Sequence, residues 1–185
     1  RGKNGYLVIK SPWPAMTRGL LNDDDRYVKT YWSRFENIWF HGDYVFADED
    51  NLWYMQGRSD DVINVSGHRM STAEIEHAVI SHNKISDAAS ISIPDELTGE
   101  AIVVFFVPDD NADIDLESEI TEHVSNKIGK IAKPKHIFQL SDLPKTRTGK
   151  IIRRLLKAKL MGTELGDLSS LENPDILDEI NKLNK

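Results

Sequence analysis

The sequence predicts an α+β fold: a small domain with a short mixed sheet flanked by helices, preceded by a β-rich piece of a larger body. Three observations carry that expectation. Residues 1–59 crowd aromatics into short apolar runs broken by turn residues. The texture changes near Gly57, where strand-like runs begin to alternate with apolar residues spaced about four apart. From Asp60 onward the order reads β-α-β-β-α-β-α over roughly 100 residues, an ordinary domain size. The expected organisation is therefore a β-rich segment 1–59, an α+β domain 60–162 and a tail 163–185.

The elements follow in order. Gly5 to Lys10 reads as a strand stopped by Pro12 and Pro14. Tyr27, Tyr31 and Phe35 recur every fourth residue, which predicts a short helix within Asp23 to Phe35. Ile38-Trp39-Phe40, Tyr44-Val45-Phe46 and Leu52-Trp53-Tyr54-Met55 are three strand candidates, the last two joined by the turn Asp48-Glu49-Asp50-Asn51. Val62 to Val65 is a short strand ending at Ser66-Gly67. Ser71-Thr72-Ala73-Glu74 forms a capping box that opens a helix with Ile75, Ala78, Val79 and His82 on its buried stripe. Ala88 to Ile93 and Ala101 to Val107 are strands joined through Pro94 to Gly99. Leu116, Ile120, Val124 and Ile128 mark a second amphipathic helix ending at Gly129. His136 to Leu140 is a third strand, and a last helix is expected from near Thr148 to about Leu160. The tail is polar, with a short helix after Asn173-Pro174.

Composition narrows the function classes. Lacking cysteine, the chain has no disulfide framework, thiol nucleophile or thiolate metal site, which fits the cytoplasm. It contains no apolar run of about 18 residues that could span a membrane as a helix. Arg1 at the start, with a strand following almost at once, reads as a piece of a longer chain. A net charge of −7 argues against bulk nucleic-acid or anionic-membrane binding. Yet Lys145, Arg147, Lys150, Arg153, Arg154, Lys157 and Lys159 lie between Asp142 and Glu164 with no acid among them. Such an island is either a local anion site or a solvated helix face.

Three clusters carry chemistry. In His41-Gly42-Asp43-Tyr44, the Asp43 carboxylate at a glycine turn can accept two neighbouring hydroxyls, as a ribose diol presents, or can bond its own backbone. In Gln56 to Arg69, Arg58 and Arg69 bracket Asp60, Asp61 and the Ser66-Gly67 turn. Guanidinium forks suit phosphate oxygens, and a salt-bridged turn is the alternative. Asp60 and Asp61 are adjacent, so on a strand they face opposite ways and do not share a site. In Leu143 to Arg154, Gly149 gives a close-approach backbone and Lys150 a point charge on a flexible stem. The remaining glycines of a P-loop are missing.

Together, Tyr54-Met55-Gln56-Gly57-Arg58 through Ala73-Glu74-Ile75-Glu76, followed by Pro144 to Lys150, resemble the hinge and C-terminal lysine motifs of the AMP-forming acyl-CoA synthetases, the adenylate-forming or ANL enzymes. The likeness covers essentially the whole chain. Trp13-Pro14, Tyr27 to Tyr31, Asn64 to Arg69 and Gly166 to Pro174 are similar to the acetyl-CoA synthetase branch. The resemblance implies that residues 1–59 end the large adenylation domain and that 60–162 form the mobile C-terminal domain. It implies ATP, Mg²⁺ and coenzyme A, with activation of acetate to acetyl-adenylate and transfer to CoA. By the same resemblance Lys150 is the adenylation lysine, and Asp43, Arg58 and Arg69 bind ATP or AMP. Asp60 is the hinge, and Ser66 and Gly67 line the pantetheine tunnel. Ser125 stands at a CoA-phosphate position where relatives carry arginine, with Lys127 nearby. Ile80, His82 and Ile85 mark a backbone Mg²⁺ site, against helix capping for His82.

The implied partners are acetate, ATP, CoA, the large N-terminal domain and a lysine acetyltransferase or deacetylase acting on Lys150; neither nucleic acid nor membrane is among them. The phosphate loop of the large domain is absent from this sequence, so the piece alone is expected to be inactive. Alternatives are a propionyl or medium-chain ligase, a peptide-synthetase adenylation domain, or a non-catalytic module whose basic helix grips RNA or an acidic partner.

Overall fold

The computed structural model describes residues 2–109 and 116–183. Two compact units emerge, Arg1–Asp60 and Asp61–Lys185.

The first unit is an antiparallel sheet of β1 (Lys3–Ile9), β2 (Trp39–Ala47) and β3 (Trp53–Arg58), in that spatial order, with one helix, α1 (Asp24–Tyr31). Asp23 caps α1 by accepting the Arg26 amide. The two strand candidates on either side of Gly42 are one strand, β2. Gly42 lies at φ +91°, and the pairing register shifts between Asp43 and Val45, so the backbone bends without ending. Trp39 organises the aromatics: it stacks on Tyr31 at 4.3 Å and meets Trp13, Tyr27 and Trp32 by edge or tilt.

The second unit centres on β7 (Gly99–Pro108). Along one edge it pairs antiparallel with β6 (Ile85–Asp95). Its other edge carries β8 (His136–Gln139), parallel, and β4 (Val62–Val65) through Val65 and Gly99. The mixed sheet is completed by β5 (His68–Ser71), a strand the sequence did not suggest. Ser66 and Gly67 both hold positive φ, the signature of a two-residue primed turn, and this folds β5 back on β4.

Alternation along β7 divides the core. Ile102, Val104 and Phe106 face α2 (Thr72–Ile80) and α3 (Glu117–Lys127), where Ile75, Val79, Ile120 and Val124 are buried. Val103 and Phe105 face α4 (Arg153–Met161) and α5 (Ile176–Lys182), together with Leu155, Leu156, Leu177 and Ile180. The described segment after Gly162 is thus packed chain, and α5 contributes Ile176, Leu177 and Ile180 to that core layer. Ser71 caps α2 through the Glu74 amide at 3.1 Å. Among the described residues no helix is long and apolar enough to cross a membrane.

Candidate functional site

The expected last helix starts later than the sequence suggested. Residues 145–151 form a tight reversal instead, with Lys145 bridging Ile151. Thr146 N–H donates to the Lys150 carbonyl at 2.9 Å and Gly149 N–H to the Thr146 carbonyl at 2.8 Å, with Gly149 at φ +80°. That left-handed glycine stops the helix from nucleating at Thr148. Lys150 therefore sits at the exposed end of a loop, and α4 begins three residues beyond it.

The cations around Lys150 are committed. Lys145 pairs with Asp87 at 2.8 Å and Asp142 at 3.0 Å, and Arg147 with Glu172 at 3.4 Å. Arg154 donates to the carbonyls of Leu165 and Asp167. Lys157 reaches Ser92 at 3.3 Å and Lys159 reaches Asn181 at 2.7 Å. Arg153 forks onto Glu76 at 2.8 and 2.7 Å, and Asp61 lies 3.9 Å away. The Glu76 fork raises the Arg153 pKa further, against the opposing effect of burial. Lys150 alone in the island has an ammonium with no hydrogen-bond or ion-pair partner among the described residues.

Around the base of this loop, burial acts against the charge of both Lys145 and Asp142, and their mutual hydrogen bonding overrides it. The Lys145 pKa is raised by Asp87 and Asp142, and that of Asp142 is lowered by Lys145 and Asn173.

In the first unit, Asp43 on β2 is directly opposite Arg58 on β3. Its carboxylate meets His41 Nδ1 at 2.6 Å and Arg58 Nη1 at 3.6 Å, and Arg58 Nε donates to Asp60 at 3.1 Å. The guanidinium thus ties Asp43 to Asp60. A Cβ on Gly42 would fall 2.7 Å from Arg58 Nη1, so glycine is what admits the arginine here. A cleft of about 190 Å³ opens between Tyr31, Arg34, His41, Gly42, Arg58 and Asp60. Asp43 keeps lone pairs for a diol.

The other sequence candidates lie in the second unit. Ser66 and Gly67 form the exposed hairpin tip, where Ser66 N–H donates to the Thr98 carbonyl at 2.8 Å. Arg69 is on β5 opposite Asn64. Ser125 on α3 donates to the Thr121 carbonyl of its own helix at 2.7 Å and lines a cleft of about 840 Å³ with Lys130, Lys133 and Lys135. Lys127 reaches across to Ser81 Oγ at 2.7 Å. Ile80 closes α2, His82 lies in the turn beyond and Ile85 opens β6, with the His82 carbonyl accepting the Ile85 amide at 3.1 Å. This turn offers backbone oxygens, the donor type magnesium takes. No group of three or more His, Asp or Glu side chains suited to a metal occurs among the described residues. His82 lies 3.4 Å from Glu119 and edge-on to His123, whose pKa is lowered by burial first, then by His82 and Lys127.

Two contributors escaped the sequence. Glu76 and Asn173 both brace the lysine loop, yet their partners lie far along the chain: 77 residues separate Glu76 from Arg153, and 28 separate Asn173 from Lys145. Both fall inside stretches that carry the resemblance, Glu76 at the end of Ala73 to Glu76 and Asn173 within Gly166 to Pro174, but it implies no role for either.

Residues 74–150 match the profile of the AMP-binding enzyme C-terminal domain. The chain is 46% identical over 184 residues to the acetyl-coenzyme A synthetase of Pyrobaculum aerophilum, covering 96% of this chain and 27% of that protein. It is 45% identical over 181 residues to the acetyl-coenzyme A synthetase of Streptomyces coelicolor, covering 97% and 28%. The solved acetoacetyl-CoA synthetase from Streptomyces lividans superposes with a TM-score of 0.84 at 28% identity, over 99% of this chain and 28% of that one. The chain spans about a quarter of the length of the curated relatives it matches.

Proposed function

We propose that this chain, which belongs to the AMP-forming acyl-CoA synthetase family, is the C-terminal portion of an acetate–CoA ligase whose adenylation lysine is Lys150. The whole enzyme would work in the cytoplasm on acetate, ATP and CoA, and the large N-terminal domain would supply the remaining site. In the first half-reaction an acetate oxygen attacks the α-phosphorus of ATP and pyrophosphate leaves. In the second the CoA thiol attacks the carbonyl of acetyl-adenylate and AMP leaves.

One observation supports the role of Lys150: its exposed ammonium is the single uncommitted cation of the island among the described residues. Bringing two anions together builds charge on phosphate oxygens, which a positioned cation stabilises by roughly 3–4 kcal/mol in a desolvated cleft. An ammonium already paired with a carboxylate would have much of its field cancelled. The Asp43 carboxylate, braced by His41 and Arg58, suits the ribose hydroxyls, and Arg58 and Arg69 suit nucleotide phosphates. Asp60 at the end of the first unit suits a hinge, and the open Ser66-Gly67 tip suits a pantetheine wall. The hydroxyl of Ser125 and the lysines of its cleft suit CoA phosphates. Magnesium would neutralise ATP phosphates, and backbone oxygens near Ile80, His82 and Ile85 are of the right donor type for a second ion. Leu52, Trp53, Tyr54 and Met55 on and beside β3 are about half exposed, an apolar edge suited to the large domain.

The test is Lys150→Ala in the full-length enzyme. Acetate-dependent ATP–pyrophosphate exchange should fall by roughly 10²–10³-fold, while CoA transfer from supplied acetyl-adenylate is spared. Equal loss in both would refute the role, and a panel of longer carboxylates turned over better than acetate would refute the substrate. The same exposed amine suits a lysine acetyltransferase. Neutralising it in a Lys150→Gln variant should depress exchange likewise.

A further inference from the structure

We infer that Asn173 is a positioning residue for adenylation, holding the lysine loop from a part of the chain outside residues 74–150. The inference rests on the role of Lys150 proposed above.

The loop's own hydrogen bonds fix its shape but not its place. Its bonds from Thr146 to Lys150 and from Gly149 to Thr146 are internal, as is that from the Lys150 amide to Thr146 Oγ1 at 3.1 Å. The limb that feeds it, Ser141 to Lys145, leaves β8 and has no strand partner of its own until Lys145 meets Ile151. What that limb meets instead is Glu179 on α5, which accepts the Ser141 amide at 3.0 Å, and then the returning segment Leu171 to Asn173. Thr146 bridges Leu171, and Glu172 N–H donates to the Lys145 carbonyl at 2.9 Å.

Asn173 then closes the gap with its side chain. Its Oδ1 accepts the Lys145 amide at 3.1 Å, and its Nδ2 donates to the Leu143 carbonyl and to Asp142 Oδ2, both at 2.8 Å. The residue between those backbone partners is Pro144, which has no N–H to offer. One planar amide therefore spans the proline, giving an acceptor to the residue after it and a donor to the residue before it. Both Nδ2 partners are pure acceptors, which fixes the orientation of the amide.

The requirement is specific. Aspartate lacks the donor and would face Asp142, whereas alanine loses all three bonds. Asn173 is itself held fast, because Pro174 leads into α5, whose Ile176, Leu177 and Ile180 pack beside Leu143, Leu155 and Leu156. The limb is also pinned sideways by Lys145 to Asp87 on β6. Asn173 thus links the rigid core to the base of the loop, five residues before the ammonium.

A displacement of about 1 Å in a group that acts on the transition state can cost on the order of 10²-fold. Transfer to CoA does not use the Lys150 charge, so it should not register the same displacement. The test uses the full-length enzyme with Asn173→Ala and Asn173→Asp beside Lys150→Ala. Both Asn173 variants are expected to lower kcat of acetate-dependent ATP–pyrophosphate exchange by about 10–100-fold. The KM values for ATP and acetate, and CoA transfer from supplied acetyl-adenylate, should stay unchanged.

If Lys150→Ala cripples exchange and folded Asn173 variants do not, this inference fails and the role of Lys150 stands. If Lys150→Ala is harmless, both fall. A parallel loss of both half-reactions, or loss of the thermal unfolding transition in both Asn173 variants, also overturns it, since Asn173 would then be holding the domain and not the loop.

Discussion

Replacing Glu76 by alanine should destabilise the second unit by about 3 kcal/mol, and the structure says where that comes from. Glu76 is 6% exposed on α2, and its Oε1 accepts both the Ser90 amide and Arg153 Nε, each at 2.8 Å. Removing the carboxylate strands a fully buried amide on β6, a cost of roughly 1–3 kcal/mol. It also leaves the Arg153 guanidinium without its fork. A wholly buried charge so orphaned would cost about 3–5 kcal/mol. The Arg153 side chain is 26% exposed and keeps Asp61 at 3.9 Å, so solvent and the second acid reduce that to about a third, on the order of 1–2 kcal/mol. At about 2–4 °C per kcal/mol for a chain of this size, the midpoint of thermal unfolding should fall by roughly 6–12 °C. Far-UV circular dichroism reads the change. Tryptophan fluorescence is the internal comparison, since Trp13, Trp32, Trp39 and Trp53 all lie in Arg1–Asp60. Glu76→Gln keeps an acceptor for Ser90 and should lose less. Combining Glu76→Ala with Arg153→Met should cost less than the two singles added together, by about 1–3 kcal/mol. A shift under about 3 °C for Glu76→Ala, or strict additivity in the double variant, would refute this account of the pair.

Three further outcomes follow from geometry. Gly42→Ala should cost more than Gly67→Ala in urea unfolding. Both glycines sit at positive φ, a penalty of about 1–2 kcal/mol each, but only at Gly42 does the new Cβ strike the Arg58 guanidinium, while Gly67 faces open space. Ile180→Ala should destabilise by about 2–5 kcal/mol, because Ile180 is 1% exposed in the core shared with α4; a loss under about 0.5 kcal/mol, the range of surface substitutions, would show that the tail is not packed there. Acid stability should turn on three aspartates whose pKa values are lowered: Asp95 mainly by Lys135, then Thr98; Asp142 by Lys145 over the opposing effect of burial; Asp167 by the Ser169 backbone. A carboxyl depressed in the folded state contributes fully above its unfolded pKa of about 3.9, and that contribution is lost as pH falls toward the folded value. Thermal midpoints should therefore ease slightly as pH falls through about 6.5, because burial lowers the His123 pKa and the unfolded state takes the proton more readily, and decline further below about pH 4, with a shallower acid decline in Asp95→Asn.

Much of the second unit was legible because its signals are local. The capping serine at Ser71 and the spacing of Leu116, Ile120 and Val124 both mark helices, and each has its partner within a turn or two. The strand β5 was hidden because His-Arg-Met-Ser carries no β-favouring pattern; the positive φ of Ser66 and Gly67 makes it a strand by folding it onto β4. The helix expected from near Thr148 starts later because Lys145 claims Ile151 in a bridge and the Pro144 carbonyl accepts the Ile152 amide at 2.7 Å. Of the candidate site, Lys150, Ser66 and Gly67 are named by motif alone, and the structure adds that all three are exposed. The bracing roles of Glu76 and Asn173 could not be read so, since only tertiary structure brings their partners within reach.

The commitment of the neighbouring cations also bears on whether the island is an anion-binding face, and it favours the single-charge role proposed for Lys150. A helix that grips an acidic polymer needs its cations in solvent, several at once, because each phosphate neutralised contributes a similar increment. On α4 the arrangement is the reverse. Arg153 is turned inward to Glu76, Arg154 fastens the chain at Leu165 and Asp167, and Lys157 and Lys159 lean on Ser92 and Asn181. Freeing these groups would forfeit the bonds that hold α2, β6 and the tail to α4. The basic run is thus largely structural, and its chemistry narrows to one ammonium on a loop whose two limbs are anchored by different parts of the fold, Asn173 on one side and Glu76 on the other. Fixed limbs with a free tip are what a charge needs if it must reach a phosphate at a set position and leave again. A basic surface evolved for binding polymers would have no use for either anchor.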